Sequence, residues 1–534
     1  MDNPSSHQKL VLQAPTTGRV LKRYLPVVVL VAAFFAIIGT LPSTISTAST
    51  STNIPNVHVT PPAAPGTPGT TVGGVKCKPG VRQLPWSHYA PICIPKWTGN
   101  NGGATAPGVT AKTITITYRY AVSPSEQELY SLVAPSVVGT NAGTIQAMQA
   151  YIKIFNKYFE LYGRKVVLKP FTGKGDFLKE DMGEDAAQAE ADAATAKSLG
   201  AFADVSILAS TQLYDQYLAH EHIIAIGATL MRQSWFKQYA PYEYSPSAPC
   251  GELSAGAANF IGRAMAGMPA IYAGNKSMQT ETRKFGILYP SNPQYTYCAQ
   301  QAVKTLESVY HVHPVVVAYS IDVATLASEA ASIMDKMKAD GVTTIMCACD
   351  PVSPILLTQD ANAMKYYPEW FWFDIGNAFA RLMNQAEWAH ALGGGIPTPP
   401  LNQQGAYKAF EMADPGVTPS PTFSAVYEPL LLLFDGLQAA GPDLTPQTFE
   451  KGFFKLPPSL PGGMFGYWKF GHDVFAPVSS DGIVWWSPTA ISPVSGKKGA
   501  WLPCNNGKQF AELAGVAPGL SLPPAHQQLQ CFGR

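Results

Sequence analysis

Residues 205–218, VSILASTQLYDQYL, read as a short apolar strand running into a helix, with Ser210 and Thr211 at the junction. A phosphate-binding loop at such a junction needs several glycines. None stands between Gly200 and Gly227, so a nucleotide site loses its physical support. Two readings remain. Ser and Thr are preferred helix N-caps, and the same unpaired N–H groups and helix dipole can hold a carboxylate or another small polar group. The organisation around the junction has to decide between them.

That organisation is an alternation of strand and helix. TITITY (113–118) is a strand, and the helix of 141–161 follows with Ile145, Met148, Ile152, Phe155 and Phe159 on one face. Strand 165–170, a helix near 183–198, strand 204–209, a helix from 212 and strand 223–226 complete a doubly wound unit. After the Pro-rich passage 239–250 the pattern starts again: strands at 285–289, 313–319, 342–348 and 370–374 are separated by helices at 295–309, 323–339 and 352–364. The expected fold class is α/β, with two doubly wound lobes joined by a multi-crossover hinge. Ligands of such sheets sit outside the carboxyl ends of the strands, and in a two-lobed protein those ends can face one cleft.

The 534 residues allow two or more domains, and 46% hydrophobic with 14% charged residues is an ordinary globular balance. A net charge of +1 gives no electrostatic footprint for nucleic acid. Lys9, Arg19, Lys22 and Arg23 precede an uncharged stretch at 24–41, expected to be a retained membrane anchor or, if cleaved near 46–48, a signal segment. Residues 42–72 are Ser, Thr, Pro and Gly rich and form a tether able to span roughly 30 Å. The remainder is expected outside the membrane, anchored or secreted.

Eight cysteines agree with export. Cys77 and Cys93 enclose a segment after the tether and Cys504 and Cys531 enclose the tail, and both pairs are read as disulfides. Cys250, Cys298, Cys347 and Cys349 leave three connectivities open. A Cys347–Cys349 bridge is disfavoured, because alternate residues of a strand run parallel rather than converging. HEH (220–222) and HVH (311–313) lack a third-ligand pattern, so no metal and no cofactor are expected.

The ordered set GVTAKTITITY (108–118), FNKYFELYGRKVVLKPFTGKGD (155–176), AFADVSILASTQ (201–212), IIAIGAT (223–229), FGILYPSNPQYTYCAQQAVKTL (285–306) and MKADGVTTIMCACDP (337–351) resembles the type I periplasmic binding proteins. The likeness is to their leucine/isoleucine/valine-binding-protein-like group of extracellular solute receptors, over about residues 109–486, and the lead-in resembles that of actinobacterial members. It implies ligand contacts from Ser210 and Thr211, from Gly227, Ala228 and Thr229 at the next strand end, from Tyr295 in lobe II, and from Asp350 to a ligand amine. Thr296 replaces the glycine that usually follows the aromatic residue. Each position also has a structural reading: Tyr295 as surface stacking, Asp350 before Pro351 as a helix cap, Gly227 as a turn. Bulky Tyr118, Arg119 and Tyr120 depart from the usual small first loop and are expected to reshape the pocket.

The resemblance implies lobe I at 109–246 and 377–457 and lobe II at 247–376 and 458–487, with a bridged lead-in at 73–108 and a bridged tail at 488–534. The expected function is a non-enzymatic receptor closing on a small polar ligand, with an ABC transporter permease as the implied partner. A secreted enzyme on a similar scaffold, without G-x-S-x-G or a metal pair to support it, and a cell-surface sensory or adhesion protein are the rivals.

Overall fold

The computed structural model describes residues 59–120, 123, 139–373, 377–513 and 517–533. The segment 24–41, expected to anchor or export the chain, lies outside the described residues; among them no helix is long and apolar enough to cross a membrane. Residues 58–534 form one compact unit.

Lobe I opens with β1 (Thr113–Tyr120) and α1 (Asn141–Tyr158). It continues through β2 (Lys165–Thr172), α2 (Phe177–Asp181), α3 (Ala186–Ser198) and β3 (Ala203–Asp204). Then come α4 (Gln212–His220), β4 (Ile224–Ile226), α5 (Gln233–Tyr239) and β5 (Glu243–Tyr244). The five strands pair in the order β2-β1-β3-β4-β5, all parallel. Met148, Ile152, Phe155 and Phe159 of the expected helical face are buried and Ile145 is half-buried against them.

Lobe II follows with α6 (Cys250–Phe260), β6 (Phe285–Pro290), α7 (Pro293–Tyr310) and β7 (Val315–Tyr319). Its next elements are α8 (Val323–Ala339), β8 (Thr344–Cys347), α9 (Ser353–Ala363), β9 (Glu369–Phe373) and β10 (Ala391–Gly394). The chain returns to lobe I for α10 (Gly405–Ala413), α11 (Phe423–Ala440) and α12 (Pro446–Phe453), then adds β11 (Ile483–Ile491) and β12 (Lys498–Pro503) to lobe II. Leu430–Phe434 of α11 are buried on every side, and Phe434 meets Phe155 with ring centroids 5.1 Å apart, which fixes this returning helix to lobe I. The second sheet runs β12-β11-β10-β9-β8-β6-β7, parallel from β10 to β7, with β11 and β12 antiparallel.

Both parallel sheets therefore use one order, reversing between β1 and β3 in lobe I and between β6 and β8 in lobe II. Such reversals open a crevice at the carboxyl ends of the strands. The chain passes between lobes at 245–249, 395–404 and 476–482, which makes a hinge of three crossings.

Four expectations are corrected. The strand expected over 204–209 ends at Asp204, whose Oδ1 accepts from the Ser206 N–H (3.0 Å) and draws the backbone out of the ladder. Residues 391–394, assigned to lobe I, pair with β9 in lobe II. The tail supplies β12 to the same sheet and does not stand apart from it. Cys347 and Cys349 are bridged, and so are Cys250 and Cys298. The strand expected through 348 stops at Cys347, which leaves Cys349 free to turn back and meet it.

The bridges Cys77–Cys93 and Cys504–Cys531 form as expected. Replacing Cys77 and Cys93 together by Ala is expected to cost roughly 3 kcal/mol, because closure of a 16-residue loop is lost from the unfolded chain. Denaturant titration of the oxidised double variant against the parent checks it.

Candidate functional site at the lobe junction

Ser210 stands where the lobe I crevice opens, between the ends of β3 and α4. Its Oγ donates to Asp215 Oδ2 at 2.5 Å. Gly227 lies directly beside it: a Cβ there would sit 3.2 Å from Ser210 Cβ, so glycine lets the two strand-end loops close up. Thr211 is buried and is the N-cap of α4, accepting from the Tyr214 N–H at 3.1 Å and donating to Glu180 Oε2 at 2.5 Å. Ala228 is buried and Thr229 exposed. The structure brings Ser210, Thr211 and Gly227 together, with both hydroxyls spent inside lobe I.

The reason is a buried ionic cluster that sequence reading missed. Arg119, expected to shape the pocket, is 1% exposed. Its guanidinium donates to Glu180 at 2.8 and 3.0 Å, to Asp192 at 3.2 Å and to the Ala209 carbonyl, and lies 3.8 Å from the centre of the Tyr214 ring. Tyr118 is buried too, and Tyr120 accepts from Thr172 Oγ1 at 2.9 Å. The Val205–Thr211 loop is thus pinned from below. Asp204 accepts from Thr117 Oγ1 (2.7 Å) and the Tyr214 hydroxyl (3.1 Å), and burial pushes its pKa up. Burial also pushes Asp215 up to about 7 and Glu243 well above the carboxylate range, aided in both by neighbouring carboxylates; the Ser210 hydrogen bond opposes the shift of Asp215.

These raised values fix a sign. Folded Asp215 holds its proton more tightly than the unfolded chain, whose Asp pKa is about 3.9. The stabilisation from that proton is complete below about pH 4 and disappears as pH rises through about 7. Lobe I is therefore expected to unfold at higher denaturant at pH 5.5 than at pH 8, and Asp215→Asn to reduce that difference. Denaturant midpoints at the two pH values check it.

In lobe II, Asp350 follows the Cys347–Cys349 bridge at the end of β8. Oδ1 accepts from the N–H groups of Val352 and Ser353, both at 2.9 Å, and Oδ2 accepts from the Tyr319 hydroxyl at 2.8 Å, so the side chain directs the turn into α9. Tyr295 sits half-buried in the first turn of α7. Burial, together with Asp181 and Asp350, pushes its phenol well above the usual value.

Asp181 belongs to lobe I, and sequence gave no sign of it. Asn292 Nδ2 donates to its carbonyl at 2.9 Å and Gln294 Nε2 to its Oδ1 at 2.5 Å, while Leu178 and Met182 pack on the lobe II core. A second contact crosses nearby, Arg232 over the Tyr297 ring at 5.8 Å. Loops at the carboxyl ends of both sheets thus meet at one junction, through Asp181 and Arg232 from lobe I and Asn292, Gln294 and Tyr297 from lobe II.

The chain matches no family model and no curated relative. Among solved structures it is similar to an ABC transporter substrate-binding protein from Aeropyrum pernix: 13% identity, 76% of this chain and 97% of that one, TM-score 0.54. A fatty acid ABC transporter substrate-binding protein from Thermomonospora curvata aligns at 13% identity over 80% of this chain and 99% of that one, TM-score 0.54. A branched-chain amino acid transporter substrate binding protein from Streptococcus pneumoniae, solved with isoleucine, aligns at 13% identity over 73% and 100%, TM-score 0.50. With the repeated strand order and three crossings above, these likenesses show that the chain has the two-lobed α/β fold of the type I periplasmic binding proteins.

Proposed function

We propose that the protein is a non-enzymatic, extracytoplasmic solute receptor that closes its lobes on a small polar solute, such as an amino acid or amide, and presents the closed form to an ABC-type permease. The observation that carries this is that both sheets reverse their strand order in the same way and are joined by three crossings, with Asp181 of one lobe bonded to Asn292 and Gln294 of the other. A solute touching both walls favours closure by its differential affinity for that state. Of the similar proteins, one was solved with isoleucine and another is a fatty acid ABC transporter substrate-binding protein, so fold alone does not select the solute. The proposal includes carriage outside the membrane by the segment 24–41 and the tether. It extends to the actinobacterial form of the group, supported by the lead-in around Cys77 and Cys93.

In this reading Tyr295 covers the solute from lobe II, while Ser210 and Thr211 shape the opposite wall, their hydroxyls serving the loop first. Tyr295→Ala is expected to weaken solute binding about tenfold through lost stacking and burial, with folding retained. A thermal-shift panel of amino acids, amides and aromatic acids identifies the solute, and calorimetry compares the variant. Unchanged affinity in a folded Tyr295→Ala protein removes that residue from the site.

A further inference from the structure

We propose that α2 is a latch between the lobes, centred on Asp181, which holds the receptor closed without solute and grips more firmly in acid. This regulates the site described above and rests on the hinge reading given there. Asn292 occupies the N-cap position of α7, where Asn normally bonds its own helix, yet it makes no side-chain cap there. Its amide instead donates 2.9 Å across the junction to the Asp181 carbonyl. Gln294, two residues on, donates to the Asp181 carboxylate. Leu178 and Met182 add apolar packing on lobe II from the same short segment. The other end of α2 is moored in lobe I, where Glu180 is gripped by Arg119 and Thr211. One short helix is thereby attached to both bodies that must separate for the receptor to open.

The charged groups facing Asp181 are Glu180 from its own helix and Asp350 from the loop after β8, with the Tyr295 phenol beside the junction. Burial first, then Asp350 and Glu180, push its pKa up to about 6, against the Gln294 hydrogen bond. Opening the lobes separates Asp181 from Asp350 and exposes it, which returns it toward an ordinary value of about 3.9. The closed form then binds the proton more tightly, so closure gains as pH falls through about 6.

The test uses the full chain with no solute, carrying a dye pair on Ser198→Cys and Ser308→Cys, one exposed position in each lobe. Energy transfer reads the closed-to-open ratio, which is expected to rise about tenfold from pH 7.5 to pH 5. Asp181→Asn keeps hydrogen-bonding capacity but cannot titrate, and is expected to leave the ratio unchanged over that range. The double variant Asn292→Ala with Gln294→Ala is expected to be more open than the parent at both pH values. A parent ratio that moves less than twofold, an equal pH response in Asp181→Asn, or a double variant as closed as the parent overturns the latch. Because no solute is added, these outcomes are independent of whether a solute is ever found.

Discussion

Arg119→Met is expected to cost about 3–5 kcal/mol, read as an earlier lobe I transition in denaturant. Arg119 is the cation within hydrogen-bond reach of Glu180 and Asp192, and Asp204, Asp215 and Glu243 lie buried in the same lobe. Removing it leaves carboxylates that must be neutralised by protons or exposed to water, either at the expense of folding. The loss is therefore expected to shrink at pH 5, since burial already pushes Asp204, Asp215 and Glu243 toward their neutral forms, and to be partly recovered by adding Glu180→Gln. Two lobes need not unfold together, so the transitions are to be resolved by probes in each. A loss below 1 kcal/mol at pH 8 contradicts the assignment of Arg119 as the organising charge.

The same size of effect, about 3–5 kcal/mol, is expected in lobe II for Glu369→Ala. Glu369 is fully buried on β9 and takes Arg283 in a two-pronged grip, Nε to Oε2 at 2.7 Å and Nη2 to Oε1 at 2.9 Å. Thr344 Oγ1 (2.6 Å) and the Tyr272 N–H (3.0 Å) fill the remaining acceptor sites. The alanine variant strands a buried guanidinium and two further donors. Glu369→Gln is expected to fall between the two, since one amide oxygen still accepts while its NH2 opposes Arg283. Calorimetric scans resolve the lobe II transition and check the order.

The fold was legible because both halves repeat one signal: short apolar runs at strand length separated by helices with a single buried face, as in Met148, Ile152 and Phe155. Where that signal weakened, the reading slipped. β10, ALGG, carries too few β-branched residues to register as a strand, and a Cβ on Gly393 would sit 1.5 Å from the Trp372 carbonyl oxygen, so packing demands the very residue that hides the strand. Of the candidate residues, Ser210, Tyr295 and Asp350 follow strands that flank the two reversals and Gly227 follows the neighbouring β4; their role toward a solute belongs to the proposal. Their partners were not legible. Asp215, Glu180 and Asp192 look like ordinary helix acids in sequence, and only the fold places them around Arg119. The five-residue α2 is too short to show a period, so nothing marked Asp181 or its reach to Asn292 and Gln294.

Solute-driven closure is the direct test of the receptor reading. The full chain labelled at Ser198→Cys and Ser308→Cys is titrated at pH 7.5 with amino acids, amides, aromatic acids and fatty acids, reading energy transfer between lobes. At least one solute is expected to raise transfer saturably, with a matching rise in melting temperature, and to be recovered chemically unchanged. A panel that leaves the lobe distance and melting temperature untouched, or a solute consumed on mixing, contradicts a receptor that works by closing on its ligand.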